Sequence, residues 1–263
     1  MLSFKGATAL VTGAGSGLGA AMSRRLATEG CNLILTGRDI AALEETKAEC
    51  EKYSITAYIR HLDLEDFSSI DSLYEFIKEK KFNINLFILN AGISQRAKTL
   101  ETSFDVDRKI MQVDYFGAVY LIKKFGDELK ASKQTSIAVT TSLAGLFGFP
   151  LRSAYCAAKS ALIGFFETLG LEYPNIDVTL LIPGRINTEI SRKAVIGDGT
   201  QYGKMDKGQA DGMDVDKAAA KAVKAIRRRR HRKLIGGMEL LMAYINKFLP
   251  CIYYKVAGKI SAT

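Results

Sequence analysis

The chain has 263 residues, with 37 Lys and Arg against 28 Asp and Glu, a net charge of +9 and 48% hydrophobic content. That length suits one α/β domain with a large core, and the 25% charged content is that of an ordinary globular protein rather than a disordered or fibrous one. No window reaches the ~20 uninterrupted apolar residues a spanning helix needs. Cys31, Cys50, Cys156 and Cys251 are widely scattered with no CxxC pair, so reduced thiols are expected. Met1–Lys5 leads straight into the first strand without a signal-peptide pattern, so a cytoplasmic protein is expected, and no metal.

Strand and helix signals alternate along the chain. Short apolar runs predict strands at Ala7–Thr12, Asn32–Thr36, Thr56–His61, Ile84–Leu89, Ser136–Thr141, Asp177–Ile182 and Lys233–Gly236. Between them, helices are expected at Gly17–Gly30, Ile40–Tyr53, Phe67–Lys80, Ser103–Lys130, Arg152–Glu172 and Val215–Arg229. Apolar runs without alternation suit parallel strands covered on both faces. The expected fold is therefore α/β, a doubly wound parallel sheet of seven strands in three α/β/α layers, over residues 1–237. Residues 185–213 break the rhythm with five glycines in a polar stretch. So long a connection is usually functional, here a substrate lid; an excursion without order is the alternative. Residues 238–263 form an amphipathic tail.

The segment Thr12-Gly13-Ala14-Gly15-Ser16-Gly17-Leu18-Gly19 follows the first strand and opens the first helix. Glycine permits a tight turn and lets the backbone approach a pyrophosphate, while the helix N-terminus offers free N–H groups. This is the logic of a Rossmann nucleotide seat, with Gly13, Gly17 and Gly19 as its glycines. The second strand ends in Thr36-Gly37-Arg38 rather than in an acidic residue. Arg38 suits a 2′-phosphate through charge and bidentate hydrogen bonds, which favours NADP(H); Asp39 as a ribose ligand is the alternative. Asp63 is placed to accept from an adenine amino group or to cap a helix.

Tyr155 lies thirteen residues after Ser142 and four before Lys159. On a helix, i and i+4 share a face, so the lysine ammonium favours the ionised phenol and tunes Tyr155 as a general acid/base. Each of these residues alone has a bland role as a helix tyrosine, a solvated lysine or a turn cap; their conjunction with a nucleotide seat points to catalysis.

Taken together, TGAGSGLG (12–19), HLDL (61–64), NAG (90–92), TSLAG (141–145), YCAAK (155–159) and PGRINT (183–188) resemble the short-chain dehydrogenase/reductase family in order and spacing, over residues 5 to about 237. The resemblance implies hydride transfer between a nicotinamide and a carbonyl/alcohol pair. It implies that Ser142 holds the substrate oxygen, Tyr155 passes the proton, and Lys159 binds the nicotinamide ribose. It also implies that Ser16 and Leu18 of the glycine segment, Leu64 beside Asp63, Asn90, Ala91 and Gly92 line the cofactor cleft. Pro183, Gly184 and Thr188 would flank the nicotinamide. One position departs: where the family has asparagine in V-N-x-x-G, this chain reads Val113-Asp114-Tyr115-Phe116-Gly117. A carboxylate keeps the acceptor, loses the amide donor and adds a negative charge near Lys159. The alternative is that the backbone carbonyl at 114 suffices and the side chain matters little.

On the substrate side, Leu143, Leu146, Phe147, Phe149, Ile190, Tyr202 and Met205 suggest an apolar pocket, hence a hydrophobic carbonyl or alcohol. Gln95, Arg96 and Arg152 are expected to be solvated surface residues or, failing that, to meet an anionic group. The basic run Arg227–Lys233 precedes the apolar tail, a pairing that suits a peripheral contact with an anionic membrane or packing on a neighbouring subunit. No nucleic-acid module accompanies it. The resemblance implies a homodimer or homotetramer through the helices at 103–130 and 152–172. The reading is an NADP(H)-dependent oxidoreductase, with an NADP(H)-binding sensor or scaffold of little turnover as the alternative.

Overall fold

The short apolar runs pair side by side into one sheet. A computed structural model describes residues 1–257 and gives seven parallel strands in the order β3-β2-β1-β4-β5-β6-β7. The strands are β1 (Thr8–Thr12), β2 (Asn32–Gly37), β3 (Ala57–His61), β4 (Leu86–Leu89), β5 (Thr135–Thr140), β6 (Ile176–Pro183) and β7 (Arg232–Ile235). Helices α1 (Gly17–Ala27), α2 (Ile40–Glu51), α3 (Phe67–Glu79), α4 (Phe104–Met111), α5 (Gly117–Lys124), α6 (Gly126–Ala131) and α7 (Ser153–Glu172) connect the first six strands. The short α8 (Lys207–Ala210) and α9 (Val215–Arg227) lead to β7, and α10 (Leu241–Phe248) and α11 (Pro250–Ala257) follow it. The last part of the expected tail, 258–263, lies outside the described residues.

Alternate residues of each strand feed opposite layers, as period 2 requires. Ala9, Val11, Leu33 and Leu35 pack with Met22 and Leu26 of α1 and Ala222 and Ile226 of α9. Leu10, Ile34 and Phe87 pack on the other face with Ile70 and Leu73 of α3, Leu121 of α5 and Phe166 of α7. Both faces are thus dry, which explains the unbroken apolar runs. Strand order reverses between β1 and β4, so a crevice opens beyond their carboxyl ends, where open sheets of this kind take ligands.

Three expectations are corrected. The single helix over Ser103–Lys130 is instead three helices, with a π-helical turn at Gln112–Phe116 between α4 and α5 and a break at Phe125. The connection 185–213 is not the excursion without order offered as the alternative. Val195 pairs with Gln95, and the backbone N–H of Arg96 donates to the Val195 carbonyl at 2.8 Å. The basic run does not adjoin the apolar tail, because the two leave opposite ends of β7. Half of it is internally paired, with Arg227 on Glu29, Arg229 on Asp177 at 3.0 Å and Arg232 on Glu167.

The tail folds back over the sheet's carboxyl end. Glu239 Oε1 accepts from the backbone N–H of Arg185 at 2.9 Å and of Gly237 at 3.0 Å. The Tyr253 hydroxyl donates to the Gly148 carbonyl, and its ring stands 5.0 Å from that of Phe147. Among the described residues no helix is long and apolar enough to cross a membrane.

Candidate active site

The turn after β1 is shaped by close approach. Gly13 has φ +66, and a Cβ there would stand 2.9 Å from the Ala91 Cα. A Cβ on Gly19 would stand 2.2 Å from the Gly13 carbonyl oxygen, so α1 can pack on its own entry turn only with glycine at that position. Ser16 precedes α1 in extended conformation with no side-chain cap bond, and the first turn carries no acidic residue. The N-terminal N–H groups of α1 are therefore left to an anion.

The strand ends are tied together by a small network. The Thr12 hydroxyl accepts from the backbone N–H of Asn90 at 3.0 Å and of Ala91 at 3.1 Å. The Asn90 side-chain oxygen accepts from the Thr140 hydroxyl at 3.2 Å. The network holds β1, β4 and β5 in register at the crevice. Thr12 opens the glycine motif, whereas nothing local in the sequence marks Thr140.

A crevice of about 320 Å³ runs over these ends. Gly13, Ser16, Gly17, Leu18, Arg38, Asp63 and Leu64 line it. Asn90, Ala91, Gly92, Ser142, Tyr155, Lys159, Pro183, Gly184 and Thr188 line it as well. Gly19 lies behind the turn and Asp114 beneath the Lys159 ammonium. Arg38 is exposed at the rim, whereas Asp39 is engaged as the cap of α2, accepting from the Ala42 N–H at 3.1 Å. Asp63 makes a turn, accepting from the Glu65 N–H at 3.0 Å; the helix cap nearby is Asp66.

Ser142 accepts from the Ala144 N–H at 3.2 Å, which leaves its own hydroxyl hydrogen free to donate. That turn is pinned to α7 by the Ser160 hydroxyl on the Gly145 carbonyl at 2.8 Å. Tyr155 and Lys159 share the buried face of α7, with the ammonium 5.6 Å from the phenol ring centroid. Lys159 Nζ lies 3.1 Å from Asp114 Oδ2 and donates to the Thr140 carbonyl at 3.3 Å. Burial opposes the lysine charge, yet the Asp114 carboxylate and the Tyr155 phenol leave its pKa above the ordinary lysine value. Burial likewise pushes the Asp114 carboxyl above its ordinary range, against the pull of Lys159 and the Ile93 N–H.

The substrate end differs from the expected apolar pocket. Of the seven residues proposed for it only Ile190 lines the crevice, joined by Ile93, Ser94, Arg96 and Arg152. Leu143 is buried in the core, Phe147 packs on Tyr253, and Phe149 lies under the Arg152 guanidinium at 4.9 Å. Tyr253 of the tail thus covers Phe147, and Arg152, just before α7, covers Phe149. Gln95 and Arg96 are also not solvated: both are buried, and Arg96 Nε donates to Asp206 Oδ2 at 2.9 Å. Arg152 reaches the same carboxylate at 3.4 Å, and burial together with Arg96 pulls its pKa down to about 10.

The model of the short chain dehydrogenase family matches residues 7–197. The Anopheles gambiae "Dehydrogenase/reductase SDR family protein 7-like" is 36% identical over 262 residues, covering 97% of this chain and 83% of that protein. A Burkholderia phymatum short-chain dehydrogenase/reductase solved with NAD has a TM-score of 0.83 at 22% identity, over 97% of each chain. A Sphingobium yanoikuyae short-chain dehydrogenase solved with NADPH has a TM-score of 0.78 at 22% identity, over 98% of this chain and 97% of its own.

Proposed function

The chain belongs to the short-chain dehydrogenase family and is an oxidoreductase of that family; from that premise we propose that it moves a hydride between NADP(H) and a carbonyl/alcohol pair on a hydrophobic substrate. One observation carries the reading: a single crevice joins the glycine turn and Arg38 to Ser142, Tyr155 and Lys159. The free N–H groups of α1 and the close backbone at Gly13 suit a pyrophosphate, and Arg38 suits a 2′-phosphate. Solved structures of the fold carry NAD or NADPH, so the preference for NADP(H) rests on Arg38 and on Asp39 being spent as a helix cap.

When bound, the nicotinamide supplies or takes the hydride. Ser142 donates to the substrate oxygen and fixes it against Tyr155. The Tyr155 phenol gives that oxygen a proton in reduction and takes one back in oxidation. Lys159 gives one N–H to the Thr140 carbonyl and pairs its charge with Asp114, so its ammonium keeps a donor for a ribose hydroxyl. Ile93 and Ile190 face the apolar body of the substrate, and the 185–213 lid excludes water over it.

Purified protein with NADPH and a panel of lipid and aromatic ketones tests the reading. Turnover of a panel member supports the enzyme; tight NADPH binding without turnover of any member supports a nucleotide sensor instead.

The tail presents an exposed apolar surface. Tyr244, Phe248, Leu249, Ile252 and Tyr254 are exposed, and Lys247 and Lys255 are the only charges in residues 240–256. Aromatic and aliphatic side chains flanked by uncompensated lysines fit an anionic bilayer surface, at ~1 kcal/mol per lysine, whereas a second copy of the same cationic face would be repelled. Flotation with vesicles containing phosphatidylserine should lift the wild-type protein but not Phe248→Ser/Tyr254→Ser. Equal flotation of both, or a loss of dimer mass instead, discards the membrane contact.

A further inference from the structure

The segment 183–188 leaves β6 over the crevice, and Pro183, Gly184, Ile186 and Thr188 line it there. Its backbone is held from β7, from Met213 and from the tail. The Gly184 N–H donates to the Ile235 carbonyl at 2.8 Å. The Met213 N–H donates to the Arg185 carbonyl at 2.8 Å, and the Asn187 N–H donates to the Met213 carbonyl at 2.9 Å. The tail supplies a carboxylate: Glu239 Oε1 accepts from the Arg185 N–H at 2.9 Å and from the Gly237 N–H at 3.0 Å. Hydrogen bonds to an ionised acceptor are stronger than neutral ones, and here one oxygen takes two of them. The fit is close on both sides. A Cβ on Gly184 or on Gly236 would overlap Glu239 Oε1, so glycine at both positions leaves the carboxylate a slot between the ends of β6 and β7. Leu240, the next residue, packs on the hydrophobic core and anchors the short helical turn Met238–Leu240. Glu239 itself lines a separate cavity with Arg185, Met213 and Met238, so it acts on the crevice through the backbone it holds.

We propose that Glu239 is a positioning residue of the nucleotide site, one that sets the 183–188 turn against the nicotinamide half of NADP(H) and so makes the tail part of the cofactor seat. The inference rests on the NADP(H) reading above, in which Pro183, Gly184 and Thr188 flank the nicotinamide. In the same reading the adenosine phosphates go to the N-terminus of α1 and to Arg38. Arg38 follows β2 and Glu239 follows β7, on opposite flanks of the sheet. Loss of Glu239 therefore weakens the whole dinucleotide and spares a ligand that ends at the adenosine phosphates. Its removal leaves the Arg185 N–H without its acceptor and frees the turn. Glutamine keeps an acceptor oxygen at the same reach, whereas aspartate keeps the charge on a side chain one methylene too short. Reach and charge are thus separable.

The test is calorimetric titration of the wild type, Glu239→Ala, Glu239→Asp and Glu239→Gln with NADPH and with adenosine 2′,5′-bisphosphate, which lacks the nicotinamide half. It needs no substrate and no turnover, so it stands apart from the carbonyl assay. Glu239→Ala and Glu239→Asp should weaken NADPH binding by about tenfold and leave bisphosphate binding near the wild-type value. Glu239→Gln should restore NADPH binding. Where the alanine variant is insoluble, the aspartate variant carries the comparison. Unchanged NADPH affinity in Glu239→Ala or Glu239→Asp overturns the proposal, and so does a loss that glutamine fails to rescue. An equal loss for both ligands shows a brace of the whole fold and also overturns it, as does a wild type that binds NADPH no more tightly than the bisphosphate. A wild type that binds neither ligand instead overturns the NADP(H) reading, and this proposal with it.

Discussion

Arg96 and Asp206 form a buried ion pair that joins the loop leaving β4 to the long connection before α9, with side chains only 2% and 4% exposed. The bond closes that connection across the substrate end of the crevice, and Arg152, three residues before Tyr155, shares the same carboxylate. Breaking a buried pair from one side costs ~3–5 kcal/mol, and Arg152 offsets part of it here. Arg96→Met should therefore lower the melting temperature and open the 189–206 segment to trypsin at Arg192, Lys193 and Lys204. Proteolysis at the wild-type rate would show that the pair does not hold the connection.

The proposed preference for NADP(H) rests on Arg38. If Arg38 holds a 2′-phosphate as proposed, Arg38→Asp removes a charge-assisted contact worth ~1.5–3 kcal/mol and adds repulsion. Titration should show NADPH binding weakened by about tenfold to a hundredfold, with NADH affected far less. Equal losses for both would remove the case for a 2′-phosphate.

Gly19 tests the entry turn. A methyl group there meets the Gly13 carbonyl at 2.2 Å, a backbone atom with little freedom to yield. Overpacking of this kind costs ~1–3 kcal/mol or more. Gly19→Ala should lower the melting temperature by several degrees and weaken nucleotide binding; normal stability with normal binding would contradict the geometry.

Cys31 makes stability fall on the alkaline side. Burial pushes its thiol from 9.0 up to about 12, so the folded chain holds a proton that the unfolded chain loses. The stability this represents is full below pH 9.0 and is lost as pH rises toward about 12. Its slope reaches ~1.4 kcal/mol per pH unit. Denaturant melts of Cys31→Ala across that window should show a shallower decline than wild type, and an identical decline would place the loss elsewhere.

Much of the architecture could be read from the chain because both sheet faces are covered. Runs such as Asn32–Thr36 and Asp177–Ile182 admit little besides buried parallel strands, and their observed ends shift by only a residue. The crevice residues were legible because Gly13, Ser142, Tyr155 and Lys159 each need a fixed residue type at a fixed spacing. What stayed hidden depends on distance through space. Nothing near Asp206 in sequence announces a partner 110 residues away, so Arg96 read as a surface cation. The π turn at 114 is one extra residue in a helical pattern and leaves no periodic trace. Phe147 read as a pocket residue because Tyr253, which packs on it, comes far later in the chain.

The central claim is that Tyr155 exchanges the proton while the rest of the crevice holds the nucleotide. The most direct test measures NADPH affinity and ketone-dependent NADPH oxidation in the same Tyr155→Phe protein. This account predicts wild-type affinity with turnover reduced by ~10²–10⁴. Turnover within a few-fold of wild type, at unchanged affinity, would contradict it.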